Sequence, residues 1–213
     1  RFRSTQPVNY RHAFHAGNFA DVLKHAALVR ILAHLRGKET AFRVIDTHAG
    51  IGRYDLAGET PNRTGQWRGG IGKLLENPPV GKAGELLAPY LDLVRAQNDG
   101  GRLRHYPGSP AIAQALCRPQ DRMQFCELHP EDFVTLRRDP RASIAEIDGW
   151  TALKAYLPPK ERRGLVLVDP AFEEPDEFGR LAGGLAEAHR RWASGIFLLW
   201  YPIKDRDEVY RFE

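Results

Sequence analysis

The sequence predicts an α/β fold: a doubly wound, mainly parallel sheet with helices on both faces. Three observations carry that expectation. Apolar runs of strand length, such as "GLVLVD" (164–169) and "GIFLLWYP" (195–202), alternate with segments of helical spacing or composition. Within those runs apolar residues are consecutive rather than alternate, as in strands buried on both faces of a parallel sheet. The runs also end on acidic or turn-forming residues, where open α/β sheets bind their ligands.

A chain of 213 residues suits one large domain, or one domain with a sizeable insertion. The first helix is read from "NFADVLKHAALVRILAHLRG" (18–37). Asn18 is its N-cap, Asp21 lies in its first turn and Gly37 stops it, around an apolar stripe of Val22, Leu23, Ala26, Ile31 and Leu35. "FRVID" (42–46) is the first strand. The interval from Gly52 to Met123 then exceeds what one crossover needs. It contains two helical stretches, "KAGELLAPYLDLVRAQN" and "GSPAIAQALCR", the second with Ser109 as N-cap and Pro110 at the first helical position. Strands follow at "MQFCEL", "ASIAEID", "GLVLVD" and "GIFLLWYP", separated by the helical segments "PEDFVTLRR", "WTALKAYL" and "PDEFGRLAGGLAEAHRRWAS". The chain thus divides into 1–53 (N-terminal block, first helix, first strand), an inserted helical subdomain at 54–105, and the remainder of the main domain at 106–213.

Composition narrows the function. Of 31 basic residues 24 are arginine, in a chain of net charge +4. Arginine's rigid fork suits phosphate, which leans toward nucleic acid, although a GC-rich genome produces the same bias. Two cysteines, Cys117 and Cys126, give neither a disulfide framework nor a zinc site and fit a reducing cytoplasm. Cys126, inside a strand, reads as a small buried hydrophobe. No membrane span or secretion signal is expected. Eight histidines invite a metal reading, but no H-E-x-x-H spacing supports it, so no metal is expected. His34, His105, His129 and His189 read as structural or surface residues. The basic, glycine-rich loop "NRTGQWRGG" (62–70) makes Trp67 a candidate for RNA contact, with a plain exposed turn nearly as good an account.

Four carboxylates close strands one to four: Asp46, Glu127, Asp148 and Asp169. Singly, each is more commonly a helix cap or turn residue. Together they describe a sheet edge lined with acceptors. In "DTHAGIGR" (46–53) Gly50 and Gly52 let the backbone turn tightly and approach a ligand, but the third glycine of a dinucleotide site is replaced by Asp55. Glu127 is placed for two ribose hydroxyls and Asp148-Gly149 for an adenine amine. That set describes S-adenosylmethionine better than NAD. The stretch "DPAF" (169–172) then supplies a carboxylate, a proline-held carbonyl and an aromatic face. A planar exocyclic amine must localise its lone pair to attack a methyl sulfonium, and two acceptors on its N–H groups favour that change. The ring replaces the stacking lost when a base is flipped out.

"DPAF" resembles the [D/N/S]-P-P-[Y/F/W] motif of amino-group methyltransferases. Together with "NYRHAFHAGNFADVLKH", "DTHAGIGRY", "RTG", "YPGSP", "ELHP", "DGW", "RRGLVLVDPAF" and "LWYP", it makes the chain similar to the bacterial 23S ribosomal RNA adenine-N6 methyltransferase family of the RlmJ type. The resemblance implies a class I methyltransferase (Rossmann-like) fold with a small helical insertion after strand one, S-adenosylmethionine as donor and 23S rRNA as partner, and the chain is expected to act as a monomer. By matching positions it implies cofactor contacts at Lys24, His25, His48, Ser109, Glu127, Asp148 and Gly149, alongside Gly50 and Asp169. It makes Asp169 catalytic, with Pro170 and Phe172, and puts Tyr10 and His12 beside the target adenosine.

Two departures bear on this expectation. Ala171 replaces the motif's second proline, and Phe172 stands where tyrosine is usual. A catalytically silent RNA-binding homologue and a DNA adenine-N6 methyltransferase are the alternatives, with a nucleotide-dependent oxidoreductase the weakest. The methyltransferase fold normally adds a sixth and an antiparallel seventh strand after the fifth, so a C-terminal portion is expected to be missing from this chain.

Overall fold

In the computed structural model, which describes residues 12–136, 140–173 and 175–213, helix α1 (Phe19–Arg36) starts at Asn18, whose side chain accepts a hydrogen bond from the Asp21 amide at 2.9 Å. The helix turns its polar first half inward. Asp21, Lys24 and His25, at i, i+3 and i+4, are buried on the face that Leu28, Leu32 and Leu35 continue into the core. The expected stripe is therefore out of phase at Leu23, which is 60% exposed. Counting apolar residues alone misses a face whose first two turns are charged.

Strand β1 (Arg43–Asp46) follows, and then β2 (Arg53–Asp55), α2 (Glu59–Thr64), a π-helical turn at Arg68–Gly72, α3 (Lys73–Glu76), α4 (Gly81–Ala96) and β3 (His105–Pro107). β2 and β3 pair antiparallel, with Tyr54 opposite Tyr106. This small sheet has no counterpart in the expected elements, because three-residue strands are too short to show a period. α4 buries Tyr90, Leu91, Leu93 and Val94 and packs on α1. Helix α5 (Ser109–Leu116) carries Pro110 in its first turn, where a missing N–H costs nothing; its N-cap is Gly108, one residue before the expected Ser109.

The rest alternates as β4 (Arg122–Glu127), α6 (Pro130–Thr135), β5 (Ala142–Glu146), α7 (Gly149–Tyr156), β6 (Gly164–Val168), α8 (Glu177–Arg191), β7 (Ile196–Leu199) and α9 (Arg206–Phe212). Five strands form one sheet in the order β5-β4-β1-β6-β7, every neighbouring pair parallel. In β6 all five residues are buried. Leu165 and Leu167 join Val44, Leu32 and Ile112 on one face, and Val166 and Val168 join Ile45, Leu153, Leu181 and Trp192 on the other. Each such side chain contributes about 1.5–3 kcal/mol by leaving water. The result is a Rossmann-like sheet covered on both faces. After β1 the chain builds outward to β4 and β5, and then crosses back to β6 and β7. That reversal opens a crevice at the carboxyl end of β1, between the flanking loops.

Candidate active site

A cavity of about 470 Å³ occupies this crevice. His12, Lys24, His25, His48, Gly50, Ser109, Glu127, Asp148, Gly149, Asp169, Pro170 and Phe172 all line it. Asp46 does not: it is 1% exposed and sits beneath the floor. Tyr10 lies outside the described residues.

Each wall is built by its local sequence. After β1 the chain turns at Gly50 and Gly52, with φ of +62° and +79°. A Cβ at Gly50 would collide with the Tyr54 hydroxyl oxygen. The Gly50 amide donates to one Glu127 oxygen at 2.7 Å and the His129 amide to the other at 2.8 Å. Glu127 is thus fixed by backbone from two loops, while burial pushes its carboxyl upward. Asp148 caps α7, one oxygen accepting from the Thr151 amide at 2.9 Å and the Thr151 hydroxyl at 3.0 Å. The Arg180 guanidinium stands 3.9 Å from the other oxygen. The capping role is therefore real, and it leaves an oxygen directed elsewhere.

His48 shows how the floor is wired. The Thr47 hydroxyl donates to the Leu167 carbonyl at 3.0 Å, so toward His48 Nδ1, 2.8 Å away, it can only accept. His48 therefore carries its proton on Nδ1 and keeps Nε2 as an acceptor. Burial holds it neutral, its pKa lowered to about 4. His25, bonded at 2.8 Å to the Tyr106 hydroxyl, is likewise held neutral by burial, down to about 3. Burial pushes Asp46 up to about 6, and its Oδ2 has no hydrogen-bond partner among the described residues.

At the centre lies a charged chain. Lys24 Nζ stands 2.5 Å from Asp169 Oδ2 and 2.9 Å from Asp21 Oδ1. Asp21 Oδ2 in turn accepts from the Gly17 amide and meets His12 Nε2, each at 2.9 Å. Burial alone would drive Lys24 down, but Asp169 and Asp21 reverse it and raise the ammonium above its usual range. Burial opposes the Asp21 charge as well, and His12 with Lys24 holds that carboxyl well below the ordinary range. Lys24 and His25, which the resemblance alone singled out, are only 4% and 1% exposed. Past Asp169 the chain turns through Pro170 and Ala171 to Phe172, whose φ of +54° is uncommon for an aromatic residue. Its ring sits edge-on to Phe178 at 5.0 Å, and Phe178 packs on Tyr201 and Phe212.

A family model described as "Ribosomal RNA large subunit methyltransferase D, RlmJ" matches residues 39–213. The chain belongs to the RlmJ family of ribosomal RNA large subunit methyltransferases. It is 45% identical over 208 residues to Ribosomal RNA large subunit methyltransferase J of Escherichia coli (strain K12), covering 96% of this chain and 73% of that protein. To the protein of the same name from Haemophilus influenzae it is 42% identical over 209 residues, with the same coverage. A crystal structure of a protein from Legionella pneumophila superimposes with a TM-score of 0.84 at 35% identity, over 93% of this chain and 73% of that one.

Several residues that line the cavity escaped the sequence reading: Tyr54, Asp132, Trp150, Glu177 and Arg180; His129, read as a structural or surface residue, lines it as well. His129 follows Glu127 within the "ELHP" block and was legible there. Arg180 is set by the docking of α8, which no local pattern announces. Among the described residues no cluster of His, Cys, Asp and Glu is placed to hold a metal ion, and no helix is long and apolar enough to cross a membrane.

Two predictions arise from this geometry. A Cβ at Gly149 would lie 2.5 Å from His48 Cε1 and 2.8 Å from the Thr47 carbonyl oxygen. Gly149→Ala therefore must displace the His48 ring into the cavity, and donor affinity measured by calorimetry falls at least tenfold, about 1.4 kcal/mol or more. The second concerns acid. His25 and His48 have folded-state pKa values of about 3 and about 4, below their ordinary 6.5. The unfolded chain therefore takes up protons that the folded one refuses, and stability is lost as pH falls below 6.5. Asp46 acts oppositely between about 6 and 3.8, where the folded form keeps a proton the unfolded one releases. Glu127, also raised by burial, offsets a further part near its ordinary range, so the two histidine losses leave a net loss below about 1 kcal/mol per pH unit between about pH 6 and 4. Urea unfolding across that range measures it, and His48→Gln reduces the slope.

Proposed function

We propose that this chain transfers a methyl group from S-adenosylmethionine to N6 of an adenosine in 23S ribosomal RNA, by direct transfer to a flipped-out base. The observation that carries this reading is Asp169. Its carboxylate opens on the cavity that Glu127 and Asp148 also border, beside a proline carbonyl and an aromatic ring. The donor supplies an electrophilic methyl on a sulfonium and carries net positive charge. The cavity suits it: six carboxylates (Glu127, Asp132, Asp148, Asp169, Glu173 and Glu177) face two formal cations, Lys24 and Arg180. Gly149, where a side chain cannot fit, leaves backbone open to a planar ring.

In this reading Glu127 accepts from ribose hydroxyls through the lone pairs its backbone donors leave free, and Asp148 Oδ1 accepts from the donor's adenine amine. Lys24, His25, His48, Gly50 and Ser109 complete the donor wall. Asp169 and the Pro170 carbonyl accept the two N–H groups of the target amine and favour its pyramidal form as charge develops. Lys24 pairs with the Asp169 carboxylate and fixes its rotamer. Phe172 stacks on the extruded base, its own ring held by Phe178. Tyr10 and His12 stand beside the target in this assignment. The surplus proton leaves through Asp169 or water after transfer.

Ala171 gives no reason to prefer a silent homologue, because the turn reaches Phe172 with its ring braced even without the second proline. Residues 54–105 serve as the inserted subdomain, the protein acts as a monomer in the cytoplasm, and no metal takes part. The test is methyl transfer from labelled donor to total RNA lacking the modification, followed by nucleoside analysis. Label in N6-methyladenosine from large-subunit RNA is the expected result. Label in another nucleoside, or in DNA only, overturns the reading.

A further inference from the structure

The cavity that suits a cationic donor is a poor host for a polyanion. With six carboxylates against two formal cations on its walls, it repels the phosphates on either side of any base drawn into it. An RNA substrate must therefore have its backbone neutralised nearby, on another surface. A second cavity, of about 570 Å³, lies at the inserted segment and is lined by Leu56, Ala57, Asn62, Trp67, Arg68, Arg102, Leu103 and Arg104. Three of these residues are arginines and none is acidic.

The arginines are not all committed to the fold. Arg102 is exposed and makes no hydrogen bond or ion pair among the described residues. Arg68, itself exposed, donates to Asn62 Oδ1 at 3.3 Å and rests over the Trp67 ring at 4.9 Å. Arg104 faces Asp55 at 3.3 and 3.4 Å, an exposed pair of the kind worth little and easily shared with a better acceptor. Trp67 is half-buried against the core, and its indole N–H is buried without a partner among the described residues. Exposed arginines commonly stay solvated. What distinguishes these is their convergence on one concavity whose lining carries no carboxylate. The position fits as well. Tyr54 lines the first cavity and Leu56 and Ala57 the second, so the two share the β2 segment as a wall, with Cα atoms of Tyr54 and Leu56 at most about 7 Å apart.

We infer that the notch formed by Trp67, Arg68, Arg102 and Arg104 is a subsite for a backbone phosphate of the RNA strand that carries the target base. This rests on the function proposed above and adds the place where the strand is gripped. Guanidinium forks match phosphate bidentately, and that of Arg68 is held in position by Asn62 and Trp67.

The test is equilibrium binding of unmodified 23S rRNA, and methyl transfer to it, at a series of salt concentrations. Arg102→Ala, which removes no internal contact, weakens RNA binding about fivefold and lowers the slope of log K against log salt by about 1. In methyl transfer the loss falls on KM for RNA, while KM for the donor does not move. Arg102→Lys restores most of the slope. Asn62→Asp, which places a carboxylate in the notch at the loss of the hydrogen bond that the Asn62 amide donates to the Ala57 carbonyl, weakens binding in the same way. Unchanged affinity and slope in both Arg102→Ala and Asn62→Asp overturn the subsite. A wild-type protein that binds the RNA but methylates none of it overturns the proposed activity instead, and the binding slope then still decides the notch.

Discussion

Asp169→Asn loses methyl transfer by about a thousandfold or more, while donor affinity changes by less than a few-fold. The size follows from the geometry. Asp169 Oδ2 is engaged by Lys24 at 2.5 Å, so the carboxylate is already held in one orientation before any substrate enters. An amide keeps the shape but offers one acceptor in place of two and turns an N–H toward either the Lys24 ammonium or the target amine. Both are donors. The transition state then loses the acceptor facing its developing positive charge, an effect that typically costs 10²–10³ in rate for a single preorganised group. In the proposed assignment donor binding rests mainly on Glu127, Asp148 and the glycine turns, which the substitution leaves in place. Single-turnover transfer to RNA measures the first quantity and calorimetric titration with the donor the second. Turnover at the wild-type rate would remove Asp169 from the chemistry, and loss of donor binding would make it a cofactor ligand only.

What the sequence disclosed and what it hid divide along a physical line. Strand β6 was legible because a continuous apolar run reports burial on both faces, and α1 because its cap and stop residues stand in place; β1, β4, β5 and β7, with polar or only half-buried positions, were legible from their alternation with helical segments. Gly50 and Glu127, 77 positions apart, were legible only as a chemical pair, yet the turn does bring the Gly50 amide onto that carboxylate. The β2–β3 pair stayed hidden, since three residues a side carry no period and its support comes from tertiary contacts such as the hydrogen bond between the Tyr90 and Tyr106 hydroxyls at 3.0 Å. The inward half of α1 was hidden for a different reason. Charged residues at helical spacing read as a solvated face unless their partners are known, and the partners of Lys24 are 145 residues away in Asp169 and three residues away in Asp21. Trp67 was read as a candidate for RNA contact or part of a plain exposed turn, and its ring is half-buried on the core. A loop composition cannot reveal which of its side chains turns inward.

Asp21→Ala destabilises the protein by about 3–5 kcal/mol, the largest stability effect expected of any polar substitution in this site. Asp21 is 1% exposed and receives Lys24, the Gly17 amide and His12. Without it Lys24, itself 4% exposed, keeps only Asp169. The Gly17 amide is also left without its acceptor, which adds the desolvation cost of an orphaned donor. Breaking one partner of a buried ionic network costs more than removing the network. The double substitution Asp21→Leu with Lys24→Met therefore recovers most of the stability lost by Asp21→Ala, while leaving Asp169 without its cation and the enzyme inactive. Thermal and urea unfolding separate the two outcomes: a fall in Tm of roughly 10 °C for the single variant, and of only about a few degrees for the double, which still lacks an acceptor for the Gly17 amide. If the double variant is instead less stable than the single one, the chain from His12 to Asp169 contributes net stability. If it is stable and still transfers methyl groups, Lys24 has no part in holding Asp169 for the reaction. The expected pattern, a stable fold without activity, identifies the buried charges of α1 as structure retained at an energetic cost because the carboxylate at the end of β6 needs a fixed cation beside it.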